Sequence, residues 1–247
     1  MCGVDHADFV QQLRTQYAAL RDAAVAAGPD APVPTCPQWT VRDLVDHMGE
    51  IHSWALRALH TPPDGERPRP EDRPADWDEL LDWWDKKVTD LADTLAYTTS
   101  NTPAWSFIGP KTFAFWSRRQ AHETAIHRLD AEHARHGAGV PSLLFDVGFA
   151  ADGVDEYLTR MLVRAAQRKP VERAGRVLFH AADAGRAWEV RLTPGQPPEV
   201  GPITDSATDE DATVAGTADA LYRAAWNRPS GAITSGDRSL LDGLPRP

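Results

Sequence analysis

Two side chains four residues apart, Glu123 and His127, carry the chemistry most readable in this 247-residue chain. They stand in Arg118-Arg119-Gln120-Ala121-His122-Glu123-Thr124-Ala125-Ile126-His127-Arg128-Leu129-Asp130, a stretch that reads as helix. Positions i and i+4 of a helix lie one turn apart on one face. A carboxylate and an imidazole so placed can share a divalent metal ion. His47, in a second helical pattern from Val41 to Leu59, is a candidate third ligand. Two helices offering a His and a Glu-x-x-x-His suggest a three-ligand metal site with one open position.

Spacing separates this motif from its neighbours. A zincin helix needs His-Glu-x-x-His, with histidines four apart. His122 and His127 are five apart, roughly 140° around a helix. That separation does not suit one shared ion, which argues against a zincin protease. A di-iron helical site needs two Glu-x-x-His motifs and two further carboxylates, and the chain has neither that motif spacing nor a second copy. It also lacks the Gly-x-Ser-x-Gly elbow of a serine hydrolase. His52 points away from His47, and His122 away from Glu123. Glu50, three residues after His47, is a further candidate ligand. A Glu/His pair at this spacing is also a common surface pair, and a lone histidine on an apolar face a common core residue. Spacing alone therefore leaves the metal site open. The aromatic residues of the front half, Trp54, Trp84, Trp105, Phe107 and Trp116 among them, are expected in the core. Some of them can wall an apolar pocket above a metal.

The elements that must position these residues are helices. Phe9, Leu13, Tyr17, Leu20 and Ala24 form one apolar stripe, predicting a first helix over His6 to Ala27. The second helix has a capping box in Thr40 and Asp43, and Leu44, His47, Ile51, Trp54 and Ala58 share a stripe that turns His47 toward the core. A third starts at Asp76. A fourth, from about Thr112 to His136, carries the Glu/His pair and ends at Gly137-Ala138-Gly139. A fifth is expected from about Leu144 to Gln167, with Val147, Val154, Leu158, Met161 and Leu162 inward. After Lys169-Pro170 the pattern changes to strands over Val177 to Ala182 and Trp188 to Leu192, joined by an Asp183-Ala184-Gly185-Arg186 turn. Sequence rich in Pro and Gly then runs to Pro202. A short strand at Ala212 to Val214, a helix from Thr217 to Trp226, a strand at Ala232 to Thr234 and a helical turn at Arg238 to Leu241 follow. The expected fold class is α+β, with a helical domain over residues 1–168 and a smaller α+β domain over residues 169–247.

The formal charge is -10, with acidic residues spread along the chain. This argues against nucleic-acid binding, which needs a basic surface. No apolar run is long enough to span a membrane, and the N-terminus lacks a signal-peptide pattern. The two cysteines, Cys2 and Cys36, form neither a metal pair nor a disulfide framework. A reducing cytoplasm is the expected location.

The segment Cys36-Pro37-Gln38-Trp39-Thr40-Val41-Arg42-Asp43-Leu44-Val45-Asp46-His47-Met48-Gly49 resembles a hallmark of the mycothiol-dependent maleylpyruvate isomerase family. Arg119 to Glu132 is similar to that family's second hallmark. Ala212-Thr213-Val214-Ala215-Gly216 and Leu221 to Arg228 resemble its small C-terminal domain. The resemblance implies a DinB-like up-down four-helix bundle in front. It implies a divalent metal, usually zinc, held by His47, Glu123 and His127, with mycothiol, the small thiol of actinobacteria, as cosubstrate. It places Arg228 where the family has a catalytic arginine, which can bind a substrate carboxylate or stabilise an enolate. Arg118 and Arg119 are further candidates for anion binding. The implied activity is an isomerase or S-transferase in which a metal-bound thiolate attacks an electrophilic small molecule. The implied state is a monomer or homodimer. A thiol-independent metal hydrolase of the same fold and a non-catalytic binding protein are the alternatives.

Overall fold

The computed structural model describes residues 4–69, 71–201 and 210–245. Cys2 therefore lies outside the described residues. The chain divides into two compact units, one over Val4–Val140 and one from Pro141 onward.

The first unit is built from four helices, α1 (His6–Ala27), α2 (Val41–Leu59), α3 (Trp77–Ala96) and α4 (Phe113–His136). Their starts are specified by short polar side chains that accept from otherwise unpaired backbone N–H groups. Asp5 with Asp8, and Thr40 with Asp43, form capping boxes. Asp76 accepts from the N–H groups of Asp78 and Glu79. Gly137 ends α4 in the left-handed region at φ 59°, donating its N–H to His133. α1 packs on α4, and α2 packs on both α3 and α4. Leu20, Leu44, Val45, Met48, Leu80 and Trp84 lie together in the core.

α4 differs from the other three. Its buried residues point in nearly every direction around the axis, from Phe113 and Trp116 to Arg119, His122, Ile126 and Asp130. A helix enclosed on most sides must satisfy its polar groups internally. Thr124 Oγ1 donates to the Gln120 carbonyl at 2.7 Å and lies 3.0 Å from His52 Nε2. Ser117 Oγ donates to the Ala114 carbonyl at 3.1 Å. The polar cluster described below is the rest of that solution.

The second unit opens with α5 (Val147–Glu156). This runs through a π-helical turn (Tyr157–Leu162) into α6 (Val163–Ala166). The turn interrupts the single helix that the periodicity predicts. Val147, expected inward, is exposed, because the helix starts there on an Asp146 cap. A five-stranded sheet follows, with β1 (Gly175–Ala181), β2 (Arg186–Leu192), β3 (Glu199–Gly201), β4 (Ala212–Gly216) and β5 (Ile233–Gly236) in the order β3-β2-β1-β4-β5. β1 and β2 form the expected hairpin, with Phe179 opposite Trp188 and Val177 opposite Val190. β4 joins β1 in parallel, and β5 runs antiparallel to β4. β3 was not expected, since it lies in the Pro- and Gly-rich run. The inward alternation of Val177, Phe179, Trp188, Val190 and Val214 meets α7 (Ala218–Ala225), and α5 packs on α7 in turn. α8 (Arg238–Asp242) closes the described chain.

The division after Val140 falls earlier than residue 168, the boundary expected from the end of the helical pattern. The physical reason is Asp219 on α7. Its Oδ2 accepts from the backbone N–H groups of Leu144 and Phe145, each at 2.9 Å, and its Oδ1 stands 2.5 Å from Arg223 Nε. Arg223 also donates to the Pro141 carbonyl at 2.7 Å. A buried ion pair thus ties residues 141–145 to α7, so α5 belongs with the sheet. Asp219→Ala strands the Arg223 charge and two backbone donors. It should destabilise the second unit by about 3–5 kcal/mol, seen as an early transition in denaturant titration. An unchanged unfolding profile would show that the tether carries no stability.

Candidate metal centre

His47 of α2 and Glu123 and His127 of α4 come together where these two helices pack. One ligand atom from each lies within 4.8 Å of the others. Glu123 Oε1 stands 3.5 Å from His47 Nε2 and 3.6 Å from His127 Nε2. Donors about 2.0–2.1 Å from a tetrahedral zinc ion are separated from one another by about 3.3–3.4 Å. The two edges to Glu123 are close to that, and the edge between the two imidazoles is at most 4.8 Å, so the donor set could close on a small divalent ion if the two rings draw together.

The carboxylate is divided between two tasks. Glu123 Oε2 accepts from Arg119 NH2 at 2.5 Å, one turn earlier on α4, and Oε1 is left to face the histidines. Arg119 is itself buried. Burial opposes the charge on Glu123. The Arg119 guanidinium and hydrogen bonds from His127 and His47 outweigh burial and hold this carboxyl well below the usual carboxylate range. On His127, Nδ1 lies 2.9 Å from Oδ2 of the fully buried Asp130. Burial disfavours the imidazolium, but Asp130 and Glu123 together prevail and push its pKa up to about 9. Trp39 covers both rings, with its centroid 4.9 Å from that of His47 and 5.9 Å from that of His127, nearly parallel to the latter. Beside His47 a surface depression is lined by Gln38, Trp39, Asp43, Asp46 and Glu50.

The other sequence candidates fall elsewhere. His47 is partly exposed rather than turned into the core. The buried stripe of α2 runs through Leu44, Met48, His52 and Ala55, one position round from the expected one. His52 accepts from Trp84 Nε1 at Nδ1, 2.9 Å away, and burial pushes its pKa down to about 3, so it is a neutral core residue. His122 is buried edge-on to Phe9. Glu50 forms an ion pair with Arg73. Arg228, just past α7 in the second unit, donates from its guanidinium to the Trp226 carbonyl at 2.7 Å. Arg119 ties Glu123 instead of standing open as an anion site. The spacing of Arg119 and Asp130, one turn before Glu123 and one turn after His127, is the signal by which sequence reasoning could have assigned them.

Family comparisons agree with this architecture. Residues 10–132 match the mycothiol maleylpyruvate isomerase N-terminal domain, and residues 148–243 match the MDMPI C-terminal domain. The chain belongs to the mycothiol-dependent maleylpyruvate isomerase family. No curated protein sequence matches closely enough to count as a relative. Two solved structures are similar in fold over 100% of this chain and 99% of their own, each at 14% identity. One is the mycothiol-dependent maleylpyruvate isomerase, at a TM-score of 0.66. The other is a variant of that enzyme with a histidine replaced by alanine, at a TM-score of 0.67.

The pH dependence of the metal-free protein follows from the cluster. The folded pKa of His127, about 9, lies above its ordinary 6.5. Its stabilising contribution is therefore complete below pH 6.5 and is lost as pH rises through about 9. Glu123 acts in the opposite direction. Its contribution is present above its ordinary 4.5 and is lost only as pH falls through its lowered folded value. The gap in urea midpoint between wild type and His127→Gln should narrow steadily across the alkaline window. A gap that stays constant would show that His127 carries no linked proton.

Proposed function

We propose that this chain is a metal-dependent enzyme that uses mycothiol as cosubstrate, an isomerase or S-transferase acting on an electrophilic small molecule. The observation that carries the reading is the trio of donors with spacing suited to one ion, in a chain whose two halves both match the family. The solved structures of similar fold are of a mycothiol-dependent enzyme, which supports the thiol.

His47 Nε2, Glu123 Oε1 and His127 Nε2 are the atoms that would hold the metal. Two imidazoles and one carboxylate suit zinc, and three protein donors leave a tetrahedral ion one position for an exogenous group. When bound, such an ion lowers the pKa of a thiol and so supplies a thiolate at neutral pH. The remaining work belongs to the chain. Arg119 keeps Glu123 ionised and turned with a single oxygen inward. Trp39 shields the imidazole faces from water. The family resemblance alone makes Arg228 the candidate for holding a substrate carboxylate or a developing enolate. In an isomerisation the thiol adds to a conjugated double bond, the resulting single bond rotates, and elimination returns the thiol. In a transfer the new carbon–sulfur bond is kept. Use of a small reduced thiol supports a cytoplasmic location as part of this proposal. Among the described residues no helix is long and apolar enough to cross a membrane.

A His2Glu donor set also serves hydrolytic zinc enzymes. A thiol-free hydrolase is therefore the second reading, and turnover of an ester or amide without added mycothiol would favour it. The primary reading predicts calorimetric binding of mycothiol to the zinc-loaded protein, and no heat would remove the thiol. It also predicts stoichiometric zinc in the wild type. Zinc should be lost in His47→Ala, Glu123→Ala and His127→Ala, and full retention in all three would refute the site. Because His127 is protonated up to about pH 9, metal uptake must displace that proton. Zinc titrations in buffers of different ionisation enthalpy should report close to one proton released per ion. Apparent affinity should rise about tenfold per pH unit across the neutral range. Uptake with no proton release would place the metal elsewhere.

A further inference from the structure

We propose that Asp130 is the positioning residue for His127, and that the loop between α1 and α2 takes part in the metal centre through it. The inference rests on the trio being a metal site.

Asp130 lies one turn beyond His127 on α4 and is fully buried. Both of its oxygens are engaged. Oδ2 faces His127 Nδ1 at 2.9 Å and also receives the Cys36 thiol at 3.6 Å. Oδ1 accepts from Thr35 Oγ1 at 2.6 Å. A carboxylate accepts and does not donate, so Nδ1 of His127 must carry a hydrogen. In the neutral ring the lone pair then sits on Nε2, the atom turned toward Glu123 and His47. The opposite tautomer would present an N–H to the metal position, and a flipped ring would give up the bond to Asp130. Asp130 therefore sets both the tautomer and the orientation of His127. A carboxylate behind a ligating histidine also raises that ligand's basicity.

The hydroxyl of Thr35 fixes the rotation of the carboxylate. Thr35 belongs to a tightly closed loop. Val33 donates to the Trp39 carbonyl at 2.9 Å, Cys36 to the Val33 carbonyl at 3.0 Å and Trp39 to the Cys36 carbonyl at 2.8 Å. The same loop lays Trp39 over both imidazoles. His47 has no comparable support. Among the described residues it makes no hydrogen bond beyond its contact with Glu123. The centre is thus a braced pair on α4, held by Arg119 and Asp130, completed by a third ligand from α2.

The test uses the full chain, stripped of metal and titrated with zinc against a chromophoric chelator. Asp130→Ala should weaken zinc binding by about 10–100-fold. Asp130→Asn, which keeps an acceptor but not the charge, should fall between Ala and wild type. Thr35→Val, which removes the hydroxyl on Asp130 but leaves the ligands and Asp130 in place, should lower affinity by a smaller factor. Imidazole nitrogen shifts of the metal-free protein, recorded above the pH at which His127 loses its charge, give an independent readout. They should report hydrogen on Nδ1 in the wild type and a shift toward Nε2 in Asp130→Asn, whose shape favours correct folding. Wild-type affinity and an unchanged tautomer in that variant would overturn the inference. A wild type that binds no zinc would instead overturn the metal reading on which it rests.

Discussion

The negative charge of Glu123 between α2 and α4 is the constraint on which the rest of the site depends. A mostly buried carboxylate is costly unless paired and hydrogen-bonded. Its charge here is stabilised by Arg119 on one oxygen and by two imidazoles on the other. Each of those groups then needs its own placement. Arg119 is buried one turn earlier on the same helix, so its charge is stabilised by Glu123 in return. His127 takes Asp130, and Asp130 takes Thr35. The geometry of the centre spreads outward from one buried charge to a loop more than eighty residues away in sequence.

Much of this was legible in the residues because it is local. The capping signals and apolar stripes fix four helices, and i to i+4 spacing on α4 puts Glu123 beside His127. What the periodicity did not reveal is tertiary. The stripe on α2 was read one position off, because the buried face includes the polar His52 and Ser53, which hydropathy counts against burial. β3 lies among Pro and Gly and exists because β2 offers it a pairing edge. The π-helical turn after α5 leaves the residue types unchanged and alters only the hydrogen-bond register. The domain boundary depends on Asp219 and Arg223, two charged residues whose burial against residues 141–145 no local pattern announces. Asp130 was in plain view within the motif, but its partner loop precedes α2, so its role emerges only once α4 and that loop are in contact.

Similarity at 14% identity makes the division between fold and chemistry concrete. Cores tolerate extensive substitution when volume and patterning are kept, so a shared backbone path says little about which molecule is turned over. The activity has to be argued from the atoms that face one another. In this chain those atoms are two imidazole nitrogens and one carboxylate oxygen, a set with a defined coordination preference. The acidic side chains beside His47, Asp46 and Glu50 among them, are partly offset by Arg73, which pairs with both. The approach to the centre on that side is therefore not a bare negative surface.

The cluster also explains how such a centre can fold before it meets a metal. Three ligands brought together without an ion usually pose an electrostatic problem, because lone pairs and like charges converge. Here the charges alternate along α4, from Arg119 to Glu123 to protonated His127 to Asp130, each next to its opposite. The proton on His127 fills the role of a cation in the metal-free state, where Asp130 and Glu123 favour the imidazolium. On the proposed reading, a divalent ion held by His47, Glu123 and His127 would take the place of that proton. Metal binding there would then require the loss of one proton from side chains that already lie together, not the assembly of a site from separated parts. That arrangement comes from α4 and the loop before α2, which hold Glu123 and His127 through Arg119, Asp130 and Thr35.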